Sequence, residues 1–218
     1  MKQIFLDTET TGLDPNLGHR IIEIAAIEIN NRQQTSNRFH TYVNPLREID
    51  LAAQEVHGIT LDFLQDKPLF KDIALDFLDF IKGGEVIIHN APFDVGFLDM
   101  ELGKANLKIF EDYPIRIIDS LKMARDIRPG QRNNLNALCK FYQVDNSERS
   151  LHGALLDAEL LGEVYLAMTR GQEALSIDFD DTAKNLTVGS INKSDLKIVT
   201  ANSSELKLND DYFSEFDL

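Results

Sequence analysis

The chain has no tryptophan, one cysteine and six prolines among its 218 residues. The lone thiol, Cys139 in "NALCKF", cannot close an internal disulfide. Its apolar helical setting suits a buried structural thiol better than a nucleophile. Such economy of cysteine fits a reducing cytoplasm. No apolar run approaches the ~20 residues needed to span a bilayer, and "MKQIFLDTET" turns acidic too soon for a signal peptide. A cytoplasmic protein without membrane attachment is expected. Positive charge is scarce as well: 22 Lys and Arg face 36 Asp and Glu, a net charge of −14. That balance argues against a protein that coats nucleic acid through a broad basic face. It leaves room for a small nucleic-acid site, because bound cations offset the acids that hold them.

What remains is ordinary globular material, 43% hydrophobic and 27% charged, long enough for one sizeable domain with a tail. Lys2 to Asp7 reads as a short buried strand, the β-branched "IIEIAAIEI" as a second, and "RFHTYVNP" as a third that stops at Pro45. The period then changes. "FKDIALDFLDFI" carries apolar residues at helical spacing, and Gly83-Gly84 ends it. "EVIIHN" and "IRIIDS" read as strands. "FDVGFLDMELGKA", "LKMARDI", "NNLNALCKFYQV" and the long "LHGALLDAELLGEVYLAM" read as helices. Three antiparallel strands followed by alternating helix and strand predict an α/β fold, a mixed sheet flanked by helices.

The first strand ends in an unusual way, in "DTETTG". Alternation puts Asp7 and Glu9 on one face. Two bare carboxylates ~4 Å apart repel by about 4 kcal/mol at an effective dielectric of 20. They tolerate one another with a cation between them, and hard oxygen donors favour Mg²⁺ or Mn²⁺ over zinc. Asp94, in "HNAPFD", falls in the first turn of a helix, where the helix dipole also favours an acid. Asp157 follows His152 by five residues. Within one continuous helix these two would point about 140° apart, so they share a pocket only if His152 lies in the junction before the helix, beside Gly153.

The set of D-x-E at a strand end, N-x-x-x-D after a second strand and H-x₄-D opening the last helix resembles the DEDDh 3′–5′ exonucleases, of ribonuclease-H-like fold. Within that family it is most similar to the epsilon-type proofreading subunits of bacterial DNA polymerase III. "DTETTG", "VIIHNAPFD", "RNNLNALC" and "LHGALLDAELLGEVYLAM" carry the likeness over roughly residues 1 to 175. The resemblance implies that Asp7, Glu9, Asp94 and Asp157 ligate two divalent cations, Mg²⁺ or Mn²⁺. Asp7 would bridge both, and His152 would act as general base. It implies hydrolysis of the 3′-terminal phosphodiester of single-stranded or frayed DNA, releasing nucleoside 5′-monophosphates. An imidazole base implies activity rising from weakly acid to neutral pH.

For the substrate, the resemblance implies contacts from Asp7, Glu9, Thr10, Thr11, Gly12, Leu13, His57, Asn90 and Asp157, with Leu13 a wedge between the last two bases. An acid that the family carries five residues before the histidine is replaced here by Ala52, and Glu55 stands at a different spacing, so that contact is not carried over. The same acids would serve an exoribonuclease trimming short RNA or transfer RNA 3′ ends. A non-catalytic docking subunit would not need the complete set, and a phosphatase lacks an equally complete motif match.

Residues 1–171 are thus expected to form the exonuclease domain, and 172–218 a flexible tail. From Gln172 onward ten acids stand against four lysines, broken by the apolar islands "LKIV" and "DYFSEF". "QEALSI" resembles the peptides that dock on bacterial sliding clamps, with Gln172, Leu175 and Ile177 as the contacts. The family likeness implies that the remainder holds the polymerase III catalytic (alpha) subunit, and a small theta-like subunit is a further expected partner.

Overall fold

The computed structural model of the chain describes residues 1–147, 149, 151–170, 203, 204 and 207. The chain divides into two units, Met1–Leu175 and Ser176–Leu218. In the second, Ser203, Ser204 and Lys207 are helical. Gln172, Leu175, Ile177 and both apolar islands lie outside the described residues, as does the expected flexible tail apart from those three positions.

In the first unit β1 (Lys2–Thr10), β2 (Ile21–Asn30) and β3 (Gln33–Tyr42) form an antiparallel meander. There follow α1 (Leu51–His57), α2 (Leu61–Leu64), α3 (Phe70–Ile81), β4 (Glu85–Ile88), α4 (Ala91–Lys104), β5 (Arg116–Asp119), α5 (Ser120–Ile127), α6 (Leu135–Tyr142) and α7 (Ala154–Met168). The sheet order is β3-β2-β1-β4-β5, and the β1–β4 and β4–β5 pairs are parallel. This is the mixed sheet that the sequence pattern predicts.

Several boundaries differ from the sequence reading, two of them in the sheet's first three strands by several residues. β3 begins at Gln33 rather than Arg38. Its first half, "QQTSN", has no apolar alternation to betray it and is held by pairing with β2 at an edge. β1 runs on to Thr10, whereas its pairing with β4 stops at Leu6 and Ile88. Asp7 and Glu9 therefore remain in extended backbone where the neighbouring strand has already ended, which opens a crevice beside them.

Helices cover both faces. Ile4, Leu6 and Ile24 pack with Ala74, Phe77, Phe97 and Leu98 of α3 and α4 on one side. Phe5, Ile27 and Ile29 pack with Leu138, Leu161, Val164 and Tyr165 of α6 and α7 on the other. Burying a side chain such as Phe5 stabilises the fold by roughly 2 kcal/mol. α7 rides very close to the sheet. A Cβ at Gly162 would lie 3.1 Å from Ile29 Cδ1 and 3.4 Å from Ile27 Cδ1. Arg20 Nε and Nη2 donate to Glu101 Oε1 and Oε2, each at 2.6 Å, tying the start of β2 to α4. No helix among the described residues is long and apolar enough to cross a membrane. Cys139 is fully buried in α6, as its apolar setting predicts.

Candidate active site

Phe5, Asp7 and Glu9 alternate onto one face of β1. Phe5 anchors that face against Tyr165 of α7, ring edge to ring at 5.4 Å. The same helix brings Asp157 in its first turn. The N-terminus of α7 is fixed by Glu23, whose Oε2 accepts the Ala154 N–H at 3.1 Å, while Oε1 lies 2.7 Å from His40 Nε2.

His152 stands just ahead of the helix cap, Gly153. Its backbone N–H donates to Val56 O at 3.0 Å, so the residue is pinned to α1 while its side chain stays 46% exposed. His152 and Asp157 thus do share a pocket, with Nδ1 3.4 Å from Oδ2, because the helix begins only at Ala154. One donor atom each from Glu9, His152 and Asp157 lies within 4.8 Å of the others.

Asp94 arrives from the first turn of α4. It is buried, and Thr8 Oγ1 donates to its Oδ1 at 2.7 Å. The turn that aims it depends on Asn90, which takes a left-handed φ of 71° as the cap residue and donates its N–H to Asp119 Oδ1 at 3.2 Å. Asp7, Glu9, Asp94, Asp157, His152 and Asn90 line a single cleft of about 560 Å³, enough for a nucleotide-sized ligand.

Thr10, Thr11, Gly12, Leu13 and His57 flank this cleft rather than line it. The threonine hydroxyls are spent on the loop: Thr10 Oγ1 donates to Gly12 O at 2.6 Å, and Thr11 Oγ1 accepts the Arg20 N–H at 3.0 Å and lies 3.1 Å from His19 Nδ1. Gly12 is required by crowding, since a Cβ there would sit 2.3 Å from the His19 ring. Leu13 projects into solvent, 83% exposed. His57 is buried at the end of α1, accepts the Ile59 N–H through Nδ1 at 3.0 Å, and burial lowers its imidazole pKa.

An exonuclease family model of the RNase T type matches residues 4–165, which takes in every carboxylate of the cleft and His152. The chain belongs to this exonuclease family. It is 52% identical over 221 residues to a DNA polymerase III subunit epsilon of Buchnera aphidicola subsp. Schizaphis graminum, covering 96% of this chain and 94% of that one. A DNA polymerase III subunit epsilon of Pasteurella multocida is 48% identical, with 97% of this chain and 87% of that one covered. These relatives place the exonuclease among the epsilon subunits. Among solved structures, Exonuclease X in complex with 5′ overhanging duplex DNA superposes with a TM-score of 0.62 at 25% identity, over 78% of this chain and 93% of that one. Exonucleases of this family depend on divalent metal.

The cleft of this exonuclease suits such ions. Burial, then the charges of Asp94, Glu9 and Asp157, drive the Asp7 carboxyl well above the ordinary range. Burial and the charges of Asp157, Glu23 and Asp94 push Glu9 up to about 8. Burial pushes Asp94 up to about 7, against the hydrogen bond from Thr8. Hard oxygen donors held this close and this dry favour a divalent cation among them.

The linkage has a definite sign. Acids whose folded pKa is raised bind more protons folded than unfolded, so their stabilising contribution is present below about pH 4 and lost as pH rises through 7 to 8. The metal-free exonuclease is therefore expected to melt at lower temperature as pH is taken from about 5 to about 8. A divalent cation should raise the melting temperature more at the upper end. Differential scanning fluorimetry in EDTA and in excess cation checks this, and an increment that shrinks as pH rises would contradict the charge assignment.

Sequence reasoning missed much of the rest of the lining, including His89, Arg125, Gln131, Asn133, Asn136 and Arg149. The amide-rich "GQRNNLNA" was the available signal. Arg149 gave less, an arginine in a polar loop three residues ahead of the histidine. Yet its Nε and Nη2 donate to Asp157 Oδ1 and Oδ2 at 2.5 and 2.6 Å. Burial pushes the Asp157 carboxyl up, but these bonds and the neighbouring His152 outweigh it and hold Asp157 below the ordinary range.

Proposed function

We propose that this protein proofreads DNA synthesis as the epsilon-type subunit of a replicative polymerase, removing nucleotides one at a time from a frayed 3′ end as 5′-monophosphates. The observation that carries this reading is the meeting of Glu9, His152 and Asp157 within 4.8 Å in a cleft that Asp7 and Asp94 also line. Asp7, Glu9, Asp94 and Asp157 would hold two cations, Mg²⁺ or Mn²⁺. When bound, such ions orient the attacking water and offset charge on the leaving 3′-oxygen.

The chain's own residues do the rest. Asp157 faces His152 Nδ1, which leaves Nε2 to take the proton of the attacking water. Glu23 and Val56 hold the two ends of the junction that presents this ring. Asn90 and the backbone of Thr10 to Gly12 border the terminal nucleotide, His57 supports them from behind, and the exposed Leu13 separates the last two bases. A cleft of about 560 Å³ has room for the terminal nucleotide.

The acidic surface accords with a nuclease whose duplex is gripped by its polymerase. Tethering raises local concentration without strong DNA contact of its own. On this reading Gln172, Leu175 and Ile177 bind the sliding clamp, the segment beyond binds the alpha subunit, a theta-like subunit is a further partner, and the protein works in the bacterial cytoplasm.

The test is digestion of a primer with a mismatched 3′ end, with Mg²⁺ or with EDTA, beside an RNA primer of the same sequence. Metal-dependent release of deoxynucleoside monophosphates, faster from the mismatch, is expected. Equal or faster release from RNA would favour the ribonuclease reading, and no release at all would favour a docking subunit. A truncation after Arg170 in the same assay should keep digestion and lose co-elution with the polymerase. Loss of digestion there would contradict the tether.

A further inference from the structure

We propose that Arg149 is a built-in counter-cation of the cleft: it holds Asp157 until a divalent ion displaces it, and the same displacement frees His152. This rests on the reading of Asp157 as a metal ligand.

The guanidinium forks onto both oxygens of Asp157 at 2.5 and 2.6 Å, and both side chains are 5% exposed. Nη1 donates to Asn136 Oδ1 at 2.7 Å, so the group is held on two sides. A carboxylate carries lone pairs on two sides of each oxygen, and a bidentate fork takes the pair that converge between the oxygens, the side on which a cation is chelated. Fork and ion therefore compete for that face of Asp157 and repel one another there as like charges.

The same Nη2 also faces the base. It lies 2.9 Å from His152 Nδ1 and 3.2 Å from Nε2. The guanidinium therefore stands between Asp157 and the imidazole and crowds the edge that carries both ring nitrogens. With Arg149 in place, Asp157 is obstructed toward a cation and Nε2 is obstructed toward the attacking water. Once the arginine leaves, both become available together, with Nδ1 free to face Asp157 and Nε2 free to take the proton.

Charge sets the direction of exchange. Asp7, Glu9, Asp94 and Asp157 all border the cleft, and a guanidinium brings one positive charge where a divalent ion brings two. The ion wins at sufficient concentration, and the arginine offsets the charge of Asp157 in its absence. The same fork geometry between Arg20 and Glu101 joins two elements away from the cleft and competes with nothing.

Calorimetric titration of the full chain with Mn²⁺, free of DNA and after stripping with EDTA, tests the exchange. Arg149→Gln removes the competitor and should bind Mn²⁺ about tenfold tighter than wild type, with a lower melting temperature in EDTA that Mn²⁺ restores. Arg149→Lys keeps the charge but loses the fork. It should also bind tighter than wild type, by a smaller factor, which separates displacement from a general change of charge. It decides the matter on its own if the glutamine variant does not stay folded without metal. Unchanged or weaker Mn²⁺ binding in either folded variant overturns the proposal, because the arginine would then be supporting the ligand. If wild type and both variants bind no Mn²⁺, the metal-ligand reading of Asp157 falls first and takes this inference with it.

Discussion

Asp7→Asn is expected to cut 3′-end hydrolysis by at least ~10³-fold and to raise the melting temperature of the metal-free protein at alkaline pH. The two effects have opposite signs and one cause. Asp7 lies in the last part of β1, in the cleft that Asp157 of α7 also lines, with Glu9 two residues along the same face. Burial and the charges of Asp94, Glu9 and Asp157 all disfavour its ionised form. An ionised carboxylate there destabilises the metal-free fold, and asparagine fills the same volume without charge. The gain should amount to a few degrees, on the order of 1 kcal/mol or more. With cations present the side chain is needed as a ligand, and asparagine is a poor substitute. Release of mononucleotides and scanning fluorimetry in EDTA, on the same preparation, measure both. A variant that is inactive and also less stable would make Asp7 a structural residue.

His152→Gln should lose about 10²–10⁴-fold in rate and retain metal binding, since the four carboxylates are untouched. The fold should tolerate the change. The side chain is 46% exposed, and what anchors the residue is its backbone N–H on Val56 O, which glutamine also supplies. Near-normal digestion by the purified variant would refute the assignment of the base.

Much of this architecture is legible in the sequence because it is periodic. α3 occupies Phe70–Ile81, the stretch whose apolar residues recur at helical spacing, and it stops where Gly83 adopts a φ of 71°. The carboxylates are legible for a different reason. D-x-E on a strand has one geometric meaning, and the acids at Asp94 and Asp157 each open a helix. The relation of His152 to Asp157 was ambiguous because it turns on where α7 starts, and the start at Ala154 is decided by Glu23, which lies 131 residues earlier in the chain.

α1 and α2 were invisible because they are short and end within a polar stretch. Arg149 was unreadable in principle. An arginine in "NSERSLHG" is most often a solvated charge, and only the packing of its fork against Asp157 and Asn136 gives it a place in the cleft. The loop hydroxyls of Thr10 and Thr11 were equally unreadable: their bonds within the loop depend on how the chain returns at Gly12 and Arg20.

Gly162 lies five residues beyond Asp157 on the same helix, about 7.5 Å along its axis. A side chain there would run first into Ile29, Ile27 and Phe5. Its bare backbone lets the rod settle onto the strands, and that depth fixes how far the acid at the rod's tip can reach toward β1. The gap across which a phosphodiester must be cut is thus gauged by a seam of aliphatic carbons that no nucleic acid ever meets. Copying errors could accordingly rise through a single added methyl in that seam, with every polar group of the cleft left as it was.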